Sequence, residues 1–197
     1  LTPQRMQGRI RLGIPDSYAP AFMRDFLPQL IADNPLLELE IEARSSGELF
    51  TMFSREQIDL ALIVSAQPLE QGEQLGSIQP VWVVSDQFKT PEQAPLPIAV
   101  QLTGCPYRAS AIRALKEHGA YYRVLLESAS STAVEAAVFC GLAVGLIEES
   151  RITVGLTQNI PGVRLPELPR HHIYLLSDSA NHLALHLHEQ LKKGFTL

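Results

Sequence analysis

The stretch Arg9-Ile-Arg-Leu-Gly-Ile14, followed by a spacer and then Leu37-Glu-Leu-Glu-Ile-Glu-Ala43, decides the fold. Ile10, Leu12 and Ile14 form one apolar row, and Leu37, Leu39, Ile41 and Ala43 form another, alternating with Glu38, Glu40 and Glu42. That is the period of half-buried strands. In the spacer Tyr18, Phe22, Phe26 and Leu30 recur every four residues, which predicts one helix with a single apolar face. Strand, helix, strand is the parallel βαβ unit of an α/β sheet. Four strand-like runs end in small hydroxyl or turn residues that open a helical pattern: Asp16-Ser17, Ser45-Ser46, Thr103-Gly104-Cys105 and Ser128 to Thr132. Ligands of open α/β sheets bind outside the carboxyl ends of the strands, where free helix N–H groups gather. The chain therefore reads as a binder of a small molecule.

Further along, Ser45-Ser46-Gly47-Glu48 is a capping box ahead of Leu49, Phe50, Met52 and Phe53, and Asp59-Leu-Ala-Leu-Ile-Val64 is a buried strand. Residues 66–80, rich in Gln, Gly, Pro and Glu, read as a connection. Val81-Trp-Val-Val84 is a short strand, and a Pro-rich stretch separates it from a second βαβ pattern. There a strand ends at Val100, a helix runs over 106–118 with proline in its first turn, and a strand covers 123–126. Thr132-Ala-Val-Glu135 reads as a second capping box, Gly141 as a helix stop, and 142–147 as a strand. Ile173-Tyr-Leu-Leu176 is another strand, and Leu183, Leu187 and Leu191 mark a closing amphipathic helix. Two lobes are expected, residues 8–82 with 178–197 and residues 83–177. Crossover strands near 81–85 and 173–177 would form a hinge, with a cleft between the lobes.

Composition narrows the function. The 197 residues carry a formal charge of −5, with 46% apolar and 19% charged residues, which fits a soluble globular protein and leaves no basic footprint for nucleic acid. Two cysteines, Cys105 and Cys140, are too few for a disulfide framework or a four-ligand zinc site, and a reducing cytoplasm fits them. The opening Leu-Thr-Pro-Gln-Arg-Met-Gln lacks the regions of a signal peptide and reads as a cut inside a longer protein.

Several motifs carry a family likeness: Gly8-Arg-Ile-Arg-Leu-Gly13, Asn34-Pro35 ahead of Leu37-Glu-Leu-Glu-Ile41, Gln57-Ile-Asp-Leu-Ala-Leu62, Gly104-Cys-Pro-Tyr-Arg108, Ala136-Ala-Val-Phe-Cys-Gly-Leu142 and Leu165-Pro-Glu-Leu-Pro169. In this order and spacing they resemble the effector-binding regulatory domain of LysR-type transcriptional regulators. Gly13-Ile-Pro-Asp16, Val81-Trp82-Val83, Gly104 to Arg108 and Pro166 to Pro169 look most like its LrhA/HexA-like branch. Ala143 stands where the family usually has the second Gly of Gly-Leu-Gly, and Glu148 where it usually has Pro. The resemblance implies an α/β, two-lobed periplasmic-binding-protein-like (type 2) fold with two crossover strands forming a hinge. It also implies a bacterial cytoplasmic regulator, a homodimer or homotetramer, that binds a small polar or anionic effector in the inter-lobe cleft. DNA would be held only through an amino-terminal winged helix-turn-helix absent from these residues, with no enzyme activity, cofactor or membrane partner.

On that pattern Ser17 and Ser46 are effector-contacting hydroxyls, and as helix-start residues they are equally candidates for capping. Asp16, Ser45, Thr103, Gly104, Ser128, Ser130 and Ser131 complete the expected site, although Asp16 would repel an acidic effector and could cap the first helix instead. Arg108 offers a bidentate fork to a carboxylate, or makes an ordinary ion pair. Cys105, at a helix start, is a possible low-pKa thiol, whereas Asp59 reads as structural. His182, His186 and His188 read as a solvated helix face with His171 and His172 nearby, giving no metal site. The alternative functions are a stand-alone solute-binding protein of a transporter and, last, an enzyme for which no general base is evident.

Overall fold

In the computed structural model, which describes residues 5–194, the chain divides into two compact units. One runs up to Gly76 and resumes from His172; the other is Ser77–His171.

The first unit is built on β1 (Gln7–Pro15), β2 (Leu36–Arg44), β3 (Leu60–Ser65), β4 (Glu73–Ile78) and β10 (His171–Ser177), in the order β2-β1-β3-β10-β4. β1 and β2 are parallel along their whole length, from Gln7 opposite Leu36 to Pro15 opposite Arg44. β3 is parallel to β1, and β10 runs antiparallel to β3. Ile10, Leu12 and Ile14 are fully buried, as their alternation requires. Gly13 is glycine for a steric reason: a Cβ there would lie 2.6 Å from the side chain of Leu49 and 2.7 Å from that of Ile58.

The β1–β2 connection is not the single α-helix that the aromatic spacing predicts. α1 (Ala19–Ala21) passes into a π-turn, Phe22–Phe26, and then α2 (Leu27–Asp33). Pro28 explains the break, because it has no N–H for the carbonyl of Arg24 and its ring would crowd that carbonyl. The widened turn lets the Leu27 N–H reach back five residues to the Phe22 carbonyl. Tyr18, Phe22 and Leu30 still face the core, and Phe26 is only partly buried against the Phe22 ring, with centroids 5.3 Å apart. Asn34 closes the unit: its Oδ1 accepts from the Met6 N–H at 2.7 Å, and its Nδ2 donates to the Leu30 carbonyl at 2.9 Å.

β4, within the stretch read as a connection, is an edge strand whose Glu-Gln-Leu-Gly-Ser-Ile sequence carries no apolar row. α6 (His182–Gly194) buries Leu187 and Leu191 as expected, while Leu183 is only half-buried, and Ala184 and His188 are buried as well. His188 is therefore not part of a solvated face: Nδ1 lies 3.0 Å from Ser177 Oγ and Nε2 2.9 Å from Glu73 Oε2. Buried histidine is tolerated here because both ring nitrogens have partners.

In the second unit β6 (Leu96–Gln101) pairs in parallel with β7 (Tyr122–Ser128), while β5 (Pro80–Ser85) lies between β8 (Gly145–Glu148) and the two-residue β9 (Leu156–Thr157). Hydrogen bonds from Ala99 N–H to the Val144 carbonyl and from Val144 N–H to the Pro97 carbonyl, both 2.9 Å, join β6 to the β8 segment. α4 (Pro106–Glu117) and α5 (Ser131–Phe139) cover these strands. Ala143 is fully buried against Ala99, Val134 and Ala137, where its methyl fills the core. Glu148 is buried and accepts from the Tyr107 hydroxyl at 3.1 Å. His171 is also buried rather than solvated, with Nδ1 2.8 Å from the Pro169 carbonyl and Nε2 3.2 Å from Ser110 Oγ. The Pro-rich strap before β10 is tied to β5 and its entry by Trp82 Nε1 donating to the Pro166 carbonyl and Gln79 Nε2 to the Leu168 carbonyl, both at 2.8 Å. No helix among the described residues is long and apolar enough to cross a membrane.

Asp59 has the structural role expected of it. Its Oδ2 accepts from the Arg11 backbone N–H at 2.7 Å and from Arg11 Nε at 3.1 Å, and Oδ1 takes the Arg11 guanidinium at 2.8 Å. Arg11 holds this carboxyl below the ordinary carboxylate range. A depressed folded-state pKa means stability that is present above the unfolded value of about 3.9 and lost as pH falls through the folded one. Asp59→Ala should therefore cost about 1–3 kcal/mol at neutral pH, and the gap to the parent should close below about pH 4, measured by urea unfolding across pH.

Candidate functional site

In the first unit the parallel register brings the carboxyl ends of β1 and β2 side by side, so residues 16–17 and 45–46 share one edge of the sheet. Asp16 sits in the turn after β1, its N–H donating to the Arg44 carbonyl at 3.2 Å. Neither Asp16 nor Ser17 is the N-cap residue of α1: that position is Tyr18, with no side-chain cap bond of its own, and its N–H returns to the Pro15 carbonyl at 2.9 Å. The early proline and the tight turn place the helix start one residue later than the hydroxyl. Ser17 is half-buried there.

Ser45 is the N-cap of α3 (Ser46–Ser54) and forms the expected capping box. Its Oγ accepts from the Glu48 N–H at 3.3 Å and donates to Glu48 Oε2 at 2.7 Å, while its N–H donates to the same carboxylate at 3.1 Å. The hydroxyl is thus committed to the helix start, and the same contacts hold Glu48 below its ordinary pKa. Ser46 is buried, and its Oγ accepts from the Val64 N–H at 3.0 Å, pinning the start of α3 to the end of β3. An accepting hydroxyl still has its proton to donate.

In the second unit the ends of β6 and β7 are joined by the Leu102 N–H donating to the Ser128 carbonyl at 3.1 Å. Thr103 and Gly104 form the turn that follows, exposed, with Gly104 at φ +101, a conformation that excludes most other residues. Cys105 is the N-cap of α4. Burial pushes its thiol pKa up, and the neighbouring amides of Arg108 and Tyr107 oppose this without reversing it. A low-pKa thiol is not what this position makes.

Ser130, not Thr132, caps α5: its Oγ accepts from the Ala133 N–H at 3.3 Å, while Ser128 Oγ accepts from the Ser130 N–H at 3.1 Å. Ser130 has the extended backbone a cap requires, so Thr132 and Glu135 fall inside the helix, and Glu135 pairs with Arg151 at 3.1 Å. Ser131 is buried at the first helical position.

Arg108, on the first turn of α4, pairs through NH2 with Glu127 Oε2 at 3.0 Å. Its Nε is buried and has no hydrogen-bond partner among the described residues. Glu127 is the residue that the sequence reading missed, and its only signal was a carboxylate one position before Ser128 at the strand end. An acid-and-histidine group of the described residues, Glu73 with His188 and Glu189, lies on β4 and α6.

Comparisons with known proteins match this organisation. The chain is 27% identical over 164 residues to the HTH-type transcriptional regulator DgdR of Burkholderia cepacia, a match covering 83% of this chain and 56% of that protein, so the chain spans little more than half of its relative. The regulatory domain of Synechocystis PCC6803 CcmR, solved in complex with 2-PG, superposes with a TM-score of 0.70 at 16% identity, covering 97% of this chain and 99% of that one. The apo regulatory domain of HypT from Salmonella typhimurium gives 0.72 at 15% identity, covering 98% and 99%. These likenesses establish the two-lobed, type 2 periplasmic-binding-like α/β fold, and they do not assign a branch. The family model "LysR substrate binding domain" matches residues 3–195, and the chain belongs to that family.

Proposed function

We propose that this chain is the effector-sensing and oligomerisation domain of a bacterial, cytoplasmic LysR-type transcriptional regulator, and that it binds a small polar or anionic molecule. The observation that carries this reading is the buried Nε of Arg108, without a partner among the described residues, in a guanidinium whose NH2 is already paired to Glu127. An unpaired buried donor costs about 1–3 kcal/mol, which a carboxylate or phosphate oxygen would recover. Ser46, Thr103, Ser130 and the first-turn amides of α3, α4 and α5 would supply the remaining polar contacts at the strand ends of each unit, with Asp16, Ser17, Ser45, Gly104, Cys105, Ser128 and Ser131 shaping them. That CcmR is described in complex with 2-PG fits an anionic effector. DNA would be contacted by a winged helix-turn-helix outside these residues, since a chain of charge −5 has little attraction for phosphate. Self-association would be symmetric, as a homodimer or homotetramer. Binding and release, rather than catalysis, would be the activity, with no cofactor or membrane partner, and the match to the LysR substrate binding domain and to a transcriptional regulator favours a regulator over a transporter's solute-binding protein.

Calorimetry with a panel of small carboxylates and phosphate monoesters should identify a ligand, and Arg108→Ala should weaken it by about 10–100-fold, the range for a charged hydrogen bond. Ser46→Ala should weaken it less, and it should also lower thermal stability, because the Val64 N–H is left without its acceptor. Equal binding by the parent and Arg108→Ala, with both folded, refutes the assignment.

The thiols provide a second test, against a redox-sensing role for Cys105. Cys140 is exposed at the end of α5, whereas Cys105 is partly covered and its thiol is held protonated. Iodoacetamide labelling near neutral pH followed by mass spectrometry should modify Cys140 well before Cys105.

A further inference from the structure

Glu73, His188 and Glu189 each place a ligand atom within 4.8 Å of the others, on elements that contribute nothing to the proposed effector contacts. We propose that these three side chains form a zinc site within the first unit.

The geometry centres on His188. Its side chain is 10% exposed, and its ring is held on both edges, by Ser177 Oγ at Nδ1 and by Glu73 Oε2 at Nε2. A carboxylate only accepts, so Nε2 carries a proton in this state, and in the neutral ring the Ser177 hydroxyl donates to Nδ1. The same hydroxyl can also accept. With a cation on the Nε2 lone pair, the ring proton moves to Nδ1 and is donated to Ser177 Oγ, so no net proton leaves a neutral histidine. A partner fixing the distal nitrogen is the arrangement that metal-binding imidazoles use. Ser177 supports the ring in both states.

Charge and ligand type select the ion. One imidazole and two carboxylates suit zinc in a four-coordinate site whose last position is water, and the two carboxylates balance the ion's charge. In the metal-free state Lys192 supplies the compensating charge, its Nζ 2.6 Å from Glu73 Oε1. That side chain is 43% exposed and can return to solvent at little cost. Glu189 is exposed and able to swing inward. A bound ion would tie α6 to β4, and through Ser177 to β10, the two strands next to the points where the chain leaves and re-enters this unit.

The other two histidines of this helix, His182 and His186, stand four apart. His182 is exposed and His186 half-buried, whereas the carboxylate of Glu73, on the edge strand β4, reaches His188.

Titration of the whole 197-residue chain with zinc chloride near neutral pH, by calorimetry with a competing chelator, should give one ion per chain and raise the thermal unfolding midpoint. Glu189→Gln changes an exposed side chain, so it should leave metal-free unfolding unchanged while weakening zinc by at least about tenfold; Ser177→Ala should weaken it by about 10–100-fold. His188→Gln should abolish binding, and the double variant His182→Ala with His186→Ala should bind like the parent. The proposal is overturned by the absence of saturable binding, by zinc affinity that survives both Glu189→Gln and His188→Gln, or by loss of binding in the His182/His186 variant, which would put the ion on that pair.

Discussion

The full-length parallel pairing of β1 with β2 is the constraint on which the rest of the first unit rests. Parallel strands need a crossover, the crossover has to be helical and apolar on one face, and the strand ends then point the same way. Asp16-Ser17 and Ser45-Ser46 become neighbours because Pro15 stands opposite Arg44, not because any local motif joins them. Gly13 belongs to the same constraint, since α3 packs onto β1 only where no Cβ intervenes. A one-residue slip would turn Ile10, Leu12 and Ile14 away from the core, which is why so long a register is firmly specified.

Much of this was legible in the residues, for reasons that differ from element to element. The Ser45–Glu48 capping box was readable because all its members lie within four positions, and the Gly141 stop because its φ of +70 suits glycine. The same local pattern misled at Thr132 and Glu135, where Ser130 competes for the cap and the backbone decides between them. The π-turn escaped because a four-residue aromatic period assumes α geometry, whereas Pro28 forces a wider turn. β4 escaped because edge strands need no apolar row. Site chemistry was least visible: the caps were local, but Glu127 reaches Arg108 from 19 residues away, and Ser110 and Glu73 reach His171 and His188 from 61 and 115.

The electrostatics of the two units are held in check by pairing. Glu127 keeps Arg108 in place and partly neutralises it, so an anionic ligand would meet a cation already positioned, at the cost of a nearby carboxylate. Glu73 has the reverse position, one carboxylate shared by Lys192 and His188, and the lysine is the larger cause of its lowered pKa. Of the two, only the arrangement at Arg108 leaves a buried polar atom, Nε, without a partner among the described residues.

The way the chain is divided between its units has a consequence for how it is made. The second unit is one continuous segment, whereas the first is interrupted, with β10 and α6 supplied only after Ser77–His171 has been synthesised. Until then β3, buried along most of its length in the finished protein, lacks its antiparallel neighbour, and β1 lacks the cover of α6. During vectorial synthesis the inserted unit can therefore complete its core while the earlier one waits, with an unpaired apolar edge open to solvent. Emergence of β10 and α6, rather than of the first βαβ unit, is then the event that closes the first sheet.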